Sequence, residues 1–374
     1  MPCYRPLEAA QAYPGAQPTI YKRGTRPALL KAPAVALELP CGSCIGCRLD
    51  TVSHWTTRCM HEAQLHQKNC ALTLTYSNDP DEIAQLQEQD WARAHQDVCT
   101  TQKSKSREFS TIAPKGLKGP NIARVDNSLS KTVAVPYGAG TRGRTSMYVP
   151  EKEGLSLQDH QNFMKMYRYT VKVPVRYYMC GEYGEKLGRP HFHYVIFGHD
   201  FEDKKYFKKS LSGTKLYRSA TLETIWTHGY SWIGEVDLST CAYVAGYVMK
   251  KMKGKKAEEH YRRKDEAGND YWLRPEFNQM SRNPGIGKTW WDKFHHDVTV
   301  DDGVYHKNQK TKAPRYYDKL LERTYPRRFA TIKQARKENA LKKAGDNTPA
   351  RLADKEAVAI ARQQLKQRQL ERKK

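Results

Sequence analysis

Two short groups of residues in this 374-residue chain have side chains that can do chemistry on a phosphate. His191 and His193 flank Phe192, and Tyr243 and Tyr247 follow about fifty residues later. A tyrosine oxygen can attack phosphorus and keep the bond energy in a covalent ester, while a divalent metal neutralises charge on the phosphate oxygens. A second tyrosine allows a second exchange before the first ester is released. This combination predicts metal-dependent cutting and rejoining of a phosphodiester.

The residues around the histidines predict how they are positioned. Residues 175–182 (VRYYMCGE) and the segment that begins at His191 each read as a strand, so we expect a hairpin. On a strand, His191 and His193 point to the same face. Glu182 on the preceding strand is the predicted third ligand, and Glu185 in the turn is a weaker candidate. Two imidazoles and a carboxylate suit a catalytic Mg²⁺ or Mn²⁺. The alternative is a pair of partly buried histidines bonded to backbone carbonyls.

The two tyrosines are predicted to lie on one helix. On a helical wheel at about 100° per residue, the apolar stripe consists of Cys241, Val244, Ala245, Val248 and Met252. The opposite side carries Tyr243, Tyr247, Lys250 and Lys251. We therefore expect both tyrosines to lie off the core and to act as nucleophiles, with the two lysines supporting phosphate charge. The alternative is an exposed aromatic pair that stacks on a base.

The composition favours a nucleic-acid partner. The chain has 64 Lys and Arg against 40 Asp and Glu, a net charge of +24, with 23 tyrosines and seven tryptophans that could stack on bases. The alternatives are a basic protein that is merely soluble, or one with an acidic partner. The sequence contains no apolar run long enough to span a membrane and no secretion signal, so no membrane association is expected.

Three of the nine cysteines form a compact group, Cys41, Cys44 and Cys47. In an intracellular chain this spacing indicates metal more than disulfides. The three thiolates are candidate ligands of a structural Zn²⁺, with a fourth ligand from Cys3, Cys59 or His61. The alternative is a set of reduced cysteines at the start of a helix.

The order of predicted elements indicates an α+β fold, with a central antiparallel sheet carrying the histidines and helices flanking it. Residues 71–76 (ALTLTY) alternate like a half-buried strand of the same sheet. The predicted divisions are an irregular segment 1–40, a catalytic domain 41–98 with 151–256, a mobile insertion 99–150, a basic aromatic extension 257–330 and a basic helical or disordered tail 331–374.

The stretch Gly285-Ile-Gly-Lys-Thr289 has some of the residues of a phosphate-binding loop. The first glycine of that motif is replaced by Arg282, so the motif fails. No helicase motor is predicted, and DNA unwinding would need a host helicase. The turn is expected to start a helix that bears Trp290 and Trp291.

Taken together, these motifs resemble the HUH endonuclease superfamily with two tyrosines. The layout is most similar to the replication initiators of small single-stranded DNA phages, the microviruses of the gokushovirus type. The resemblance covers about residues 40 to 320 and rests on Arg189-Pro-His-Phe-His193, Gly181-Glu-Tyr-Gly184, Tyr243-x-x-x-Tyr247, Ala71–Tyr76, Pro40–Arg48, Met280–Gly287 and Pro314–Asp318.

This resemblance implies an HUH or ferredoxin-like sheet and rolling-circle replication in the host cytoplasm. One tyrosine would nick the single-stranded DNA origin, hold the 5′-phosphate and leave a 3′-hydroxyl for a host DNA polymerase. The second tyrosine would cut the regenerated origin, and the circle would close without ATP. Gly246 stands where some relatives carry Lys or Arg, so Lys250 or Lys251 is the substitute cation. The alternatives are a two-tyrosine transposase or relaxase, or a non-catalytic DNA-binding regulator.

Overall fold

A computed structural model describes residues 3–13, 16–21, 35–77, 154–184, 188–210, 213–252, 255–265, 267–306 and 309–371. The predicted insertion 99–150 and Glu185 lie outside these residues. The strands are β1 (Leu7–Gln11), β2 (Thr19–Ile20), β3 (Val35–Leu39), β4 (Asn69–Tyr76), β5 (Arg176–Tyr183), β6 (Pro190–Phe197), β7 (Lys205–Lys209), β8 (Lys215–Arg218), β9 (Gly229–Gly234), β10 (Arg262–Lys264), β11 (Asp270–Trp272), β12 (Phe277–Met280), β13 (Val304–His306) and β14 (Gln309–Thr311).

The described α-helices are α1 (Ile45–Ala63), α2 (Leu157–Val171), α3 (Ala220–Ile225), α4 (Leu238–Gly246), α5 (Lys255–Tyr261), α6 (Lys288–Val300), α7 (Arg315–Thr324), α8 (Pro326–Lys342) and α9 (Pro349–Glu371). Two 3-10 helices cover Tyr247–Met249 and Ala344–Asn347. Helix α2 has a capped N-terminus, because the Ser156 side chain accepts a hydrogen bond from the Asp159 amide.

A seven-stranded sheet in the order β12-β5-β6-β4-β9-β8-β7 forms the centre of the molecule. Every neighbouring pair in it is antiparallel, which confirms the predicted α+β class. One sheet face packs against α2 and α3, with Leu72, Phe192 and Tyr194 in that core. The other face packs against α1 and α4, with Val195 and Phe197 between them. Alternating residues of β6 therefore pack into the cores on opposite faces of the sheet.

The described part of the N-terminal segment, residues 3–13, 16–21 and 35–40, is not irregular as predicted. Strands β1, β2 and β3 form a separate antiparallel sheet in the order β2-β1-β3. Its buried residues are the small side chains of Ala9 and Ala10, which are 0% and 1% exposed. Because alanine contributes little to a period-two hydrophobic pattern, these short strands carry no clear sequence signal.

Part of the predicted extension 257–330 belongs to the central sheet. Strand β12 joins the central sheet beside β5, with Phe277 opposite Gly181 and Met280 opposite Tyr178. Residues 277–280 of the extension thus form one edge of the sheet. A four-residue strand is too short for its alternation to be recognised in sequence.

The basic tail is helical where the structure describes it. Helix α8 has no buried residue. Helix α9 returns to the N-terminal segment, where Arg5 Nε donates to the Glu356 carboxylate at 2.7 Å. Among the described helices, none combines the length and apolar content needed to cross a bilayer.

The loop before α6 is held by the buried carboxylate of Glu62 in α1. Glu62 is 1% exposed, forms an ion pair with Arg176 and accepts a hydrogen bond from the Gly287 amide at 2.6 Å. Arg176 Nη2 also donates to the Pro284 carbonyl at 2.6 Å. Gly287 has φ of +79° and directly precedes α6, as predicted for a turn that starts this helix. These contacts make the loop part of the scaffold.

Acid should destabilise this fold through two buried histidines. Burial lowers the pKa of His160 to about 4 and that of His61 to about 3, against about 6.5 for histidine in an unfolded chain. Within these windows the unfolded chain binds protons that the folded chain excludes, so the free energy of unfolding falls as the pH drops below 6.5. We expect a loss of roughly 2 to 3 kcal/mol per histidine by about pH 4.

Urea unfolding followed by circular dichroism across this pH range measures the loss. A His160→Gln variant should show a shallower pH dependence than the wild type, because one of the two titrating groups is gone. His296→Gln is the control, since His296 is exposed in α6. Unfolding free energies that do not change between about pH 6.5 and 4 would contradict this account.

Candidate metal and tyrosine site

The two histidines and Glu182 occupy neighbouring positions on the central sheet. Glu182 of β5 lies directly opposite His191 of β6, and Thr73 of β4 lies opposite His193. The predicted hairpin is therefore present. Phe192 belongs to the core on the other face, so the two histidines share one face as expected.

Hydrogen bonds fix both imidazole rings. Nδ1 of His191 lies 2.6 Å from the Arg189 carbonyl oxygen, and that nitrogen must donate because a carbonyl can only accept. This tautomer leaves Nε2 of His191 as a lone-pair donor for a metal. Nδ1 of His193 lies 3.1 Å from the Thr73 hydroxyl, and its Nε2 lies 3.2 Å from Oε1 of Glu182.

The protonation states of these groups suit metal binding. Burial lowers the pKa of His191 below its ordinary value, which favours the neutral imidazole. Burial alone would raise the pKa of Glu182, but its interactions with His193 and Lys250 outweigh that effect and lower it. His191 thus offers a neutral imidazole and Glu182 an ionised carboxylate, donors that fit a Mg²⁺ or Mn²⁺ ion. Nε2 of His193 donates to Glu182 in this arrangement, so it could bind a metal only after giving up that proton.

The three side chains line one patch without closing around a point. The rings of His191 and His193 are parallel within 7°, and their centroids are 6.2 Å apart. In the part of the chain that the structure describes, the cysteine group is the one set of three or more His, Cys, Asp or Glu residues whose ligand atoms all lie within 4.8 Å of one another. His193 and Glu182 are each only 4% exposed, whereas His191 at the end of the patch is partly exposed.

The tyrosines differ from each other in burial. The rings of Tyr243 and Tyr247 contact each other edge to face, with centroids 4.8 Å apart. Tyr243 is 59% exposed, whereas Tyr247 is 6% exposed and belongs to the core between the sheet and α1. The prediction that both tyrosines lie off the core is therefore wrong for Tyr247.

The reason is the surface that the helix covers. Helix α4 ends at Gly246, and Tyr247 begins the 3-10 turn that packs over β5 and β6. The Tyr247 ring stacks on His193 at 4.3 Å between centroids and 12° between planes. A helical wheel shows which side of a helix is polar, but it cannot show that a polar histidine on the sheet covers that side.

Lys250 is the cation that enters this site. Its Nζ lies 2.7 Å from Oε2 of Glu182 and 5.0 Å from the centroid of the Tyr247 ring. Burial, followed by the nearby Tyr243 and Glu182, raises the pKa of Tyr247 above its ordinary value. Lys250 therefore places a positive charge beside the Tyr247 phenol. Lys251 is half-exposed, and the close contacts described for the site involve Lys250.

Two further residues support the site and were not assigned to it from sequence. Thr73 orients His193, and its position on the polar face of an alternating strand was a usable signal. Arg48, in the first turns of α1, donates through Nη1 to the Met249 carbonyl at 2.7 Å and so holds the end of the 3-10 turn. The two residues are 201 positions apart, so no local pattern could reveal that contact.

The cysteine group gains a fourth member from the N-terminus. The sulfur atoms of Cys3, Cys41, Cys44 and Cys47 all lie within 4.8 Å of one another, so the group could hold a metal ion. Of the other two predicted fourth ligands, Cys59 is buried in the core beside α4, and Nδ1 of His61 lies 2.9 Å from the Tyr317 hydroxyl.

Residues 145–252 match the family model described as replication-associated protein ORF2/G2P. The chain is 26% identical over 296 residues to the replication-associated protein VP4 of Bdellovibrio phage phiMH2K, covering 79% of this chain and 70% of the relative. It is 24% identical over 340 residues to the replication-associated protein ORF2 of Spiroplasma virus 4, covering 88% and 83% of the two chains.

A shorter match is 35% identical over 89 residues to the replication-associated protein ORF4 of Chlamydia phage 1, covering 23% of this chain and 22% of the relative. No solved structure matches the chain significantly. The predicted resemblance to phage replication proteins is confirmed, and the family model spans both histidines, Glu182, both tyrosines and Lys250.

Proposed function

We propose that this chain, a relative of the phage replication-associated proteins, initiates rolling-circle replication by nicking and rejoining single-stranded DNA at the phage origin. The observation that carries the proposal is the stacking of the Tyr247 ring on His193, 4.3 Å away, in a site that also contains Glu182 and Lys250. A potential nucleophile, a metal-binding donor set and a cation thus meet within one helical turn and two adjacent strands.

In the proposed reaction, the tyrosine hydroxyl loses its proton and its oxygen attacks a phosphorus of the origin strand. The bond from phosphorus to the 3′-oxygen breaks, and that oxygen leaves as a 3′-hydroxyl after taking up a proton. The product is a 5′-phosphotyrosine ester that conserves the energy of the broken bond. After synthesis, the second tyrosine repeats the cut at the regenerated origin. The freed 3′-hydroxyl then attacks the first ester and closes the circle without ATP.

The side chains have separate roles in this scheme. His191, His193 and Glu182 would hold a Mg²⁺ or Mn²⁺ ion, which when bound neutralises charge on the phosphate oxygens. Thr73 and the Arg189 carbonyl keep the two imidazoles in place. Lys250 stabilises the phenolate and the developing negative charge on phosphate.

The same proposal implies which partners the protein has and where in the cell it acts. A net charge of +24 favours binding to the DNA backbone over a neutral partner. A host helicase would unwind the duplex and a host polymerase would extend the 3′-hydroxyl, which places the reaction in the host cytoplasm. The three relatives carry names that refer to replication, so replication is favoured over transposition or conjugative transfer.

Covalent capture tests the proposal. The protein is incubated with Mn²⁺ and labelled single-stranded oligonucleotides that tile the genome encoding it, and adducts are resolved on a denaturing gel. We expect an adduct with the wild type and none with the Tyr243→Phe/Tyr247→Phe double variant. Tyr206→Phe is the matched control, because Tyr206 is 58% exposed and Tyr243 59%. No adduct with folded wild type, or an adduct that survives the double substitution, would refute nuclease function.

A further inference from the structure

Four cysteines near the start of α1 form a cluster that the tyrosine site does not use. Their sulfur atoms lie within 4.8 Å of one another, and the Cys3 and Cys44 sulfurs are 3.9 Å apart. In a tetrahedral Zn²⁺ site with metal–sulfur bonds of about 2.3 Å, neighbouring sulfurs are about 3.8 Å apart. The spacing of the Cys3 and Cys44 sulfurs therefore matches that of a tetrathiolate site, and the other sulfur pairs of the cluster lie no more than 4.8 Å apart.

Backbone amides point at these sulfur atoms. The Cys44 amide donates to the Cys41 sulfur at 3.3 Å, and the Cys47 amide donates to the Cys44 sulfur at 3.4 Å. The Cys41 amide donates to the Cys3 sulfur at 3.3 Å, and the Tyr4 amide donates to the Cys44 sulfur at 3.4 Å. Hydrogen bonds of this kind stabilise thiolate charge and orient metal ligands.

The turn between the first two cysteines is also suited to metal binding. Gly42 has φ of +71°, a conformation that residues with a side chain rarely adopt. It lets the chain reverse so that Cys41 and Cys44 direct their sulfurs to the same point. Helix α1 then begins at Ile45 and carries Cys47 in its first turn.

The cluster differs from the other cysteines that the structure describes. Cys59, Cys70, Cys180 and Cys241 are buried within the hydrophobic cores on the two sheet faces, where they act as small apolar side chains. Cys44 and Cys47 are also buried but belong to neither core. All four clustered cysteines are free thiols, so disulfides do not account for their proximity.

We propose that Cys3, Cys41, Cys44 and Cys47 bind one structural Zn²⁺ that joins the N-terminal segment to the start of α1. The ion would fix the end of α1 from which Arg48 reaches the Met249 carbonyl, next to the tyrosine turn. All four positions of the ion would be filled by thiolates, so it would be structural and not catalytic. Zinc binding by these cysteines does not require that the protein cleave DNA.

Metal content measured on the full chain tests the site. Protein purified under reducing conditions should contain one Zn²⁺ per chain by inductively coupled plasma mass spectrometry. Replacement with Co²⁺ should give the thiolate charge-transfer and strong visible bands of tetrahedral tetrathiolate coordination. Cys44→Ser and Cys3→Ser should lose the metal, whereas Cys70→Ala should keep it. Cys3 lies outside the central sheet, so its variant keeps the test informative if Cys44→Ser fails to fold.

Removal of the metal with a chelator should lower the Tm of the wild type by roughly 5 °C or more. The same treatment should leave the Tm of Cys3→Ser unchanged. Three results would overturn the site: reduced wild type that binds neither Zn²⁺ nor Co²⁺, zinc retained in both serine variants, or intact disulfides among these cysteines in freshly purified protein. None of these readouts involves DNA, so failure of the zinc site and failure of the nuclease proposal can be told apart.

Discussion

Replacing Tyr247 by phenylalanine is expected to slow the first DNA cleavage by at least about 10³-fold, the scale of losing a nucleophile. The matching change at Tyr243 should leave that cleavage largely intact and block the second strand exchange. The reason is position. The Tyr247 ring stacks on His193, and Glu182 lies close enough to affect its pKa, which places Tyr247 beside the metal donors. Tyr243 is 59% exposed and reaches His193 only edge-on, at 5.7 Å between centroids.

The two steps can be measured separately. Single-turnover formation of the covalent adduct on an oligonucleotide with one origin reports the first cut. Joining of that adduct to a second labelled origin strand reports the exchange. Phenylalanine keeps the ring that stacks on His193, so an unchanged Tm would show that the fold is preserved. Equal loss of the first cut in both single variants would refute the assigned order, although not the nuclease activity itself.

Replacing Glu62 by alanine is expected to lower the free energy of unfolding by about 3 to 5 kcal/mol, the usual cost of removing one partner of a buried ion pair. Glu62 is 1% exposed, and its loss would leave the Arg176 guanidinium and the Gly287 amide without their shared acceptor. Glu62→Gln should cost less, because an amide oxygen can still accept the Gly287 hydrogen bond.

Chemical denaturation followed by tryptophan fluorescence measures this loss. The control is Glu202→Ala, which breaks a 2.9 Å pair with Lys68 whose side chains are 86% and 58% exposed. That pair is solvated and should change stability little. If the Glu62 and Glu202 variants unfold at the same denaturant concentration, the carboxylate of Glu62 is not the anchor of the loop before α6.

How far the sequence predicts the site depends on the range of each contact. The hairpin that pairs Glu182 with His191 follows from two strand-like segments joined by a short turn, and both signals are local. The burial of Tyr247 could not be predicted, because it depends on the sheet surface beneath the helix. A central antiparallel sheet was likewise predicted, but its edge strand β12 was not.

The cysteine group shows the same limit. Three of its members lie within seven residues, so their spacing alone indicates a metal site. The fourth, Cys3, lies 38 residues before Cys41. The sequence left Cys3, Cys59 and His61 as alternative fourth ligands. The choice of Cys3 requires the path of the N-terminal sheet, which its small buried alanines do not reveal.

Strand β12 has a consequence for how the protein is made. Strand β5, which carries Glu182, is hydrogen-bonded to β6 on one side and to β12 on the other. During synthesis β5 remains an open sheet edge until residues 277–280 have left the ribosome. An open edge can pair with another chain, so a nascent or shortened polypeptide ending near residue 256 exposes a surface that favours aggregation. The residues after the tyrosine turn therefore protect the growing sheet as well as extending it.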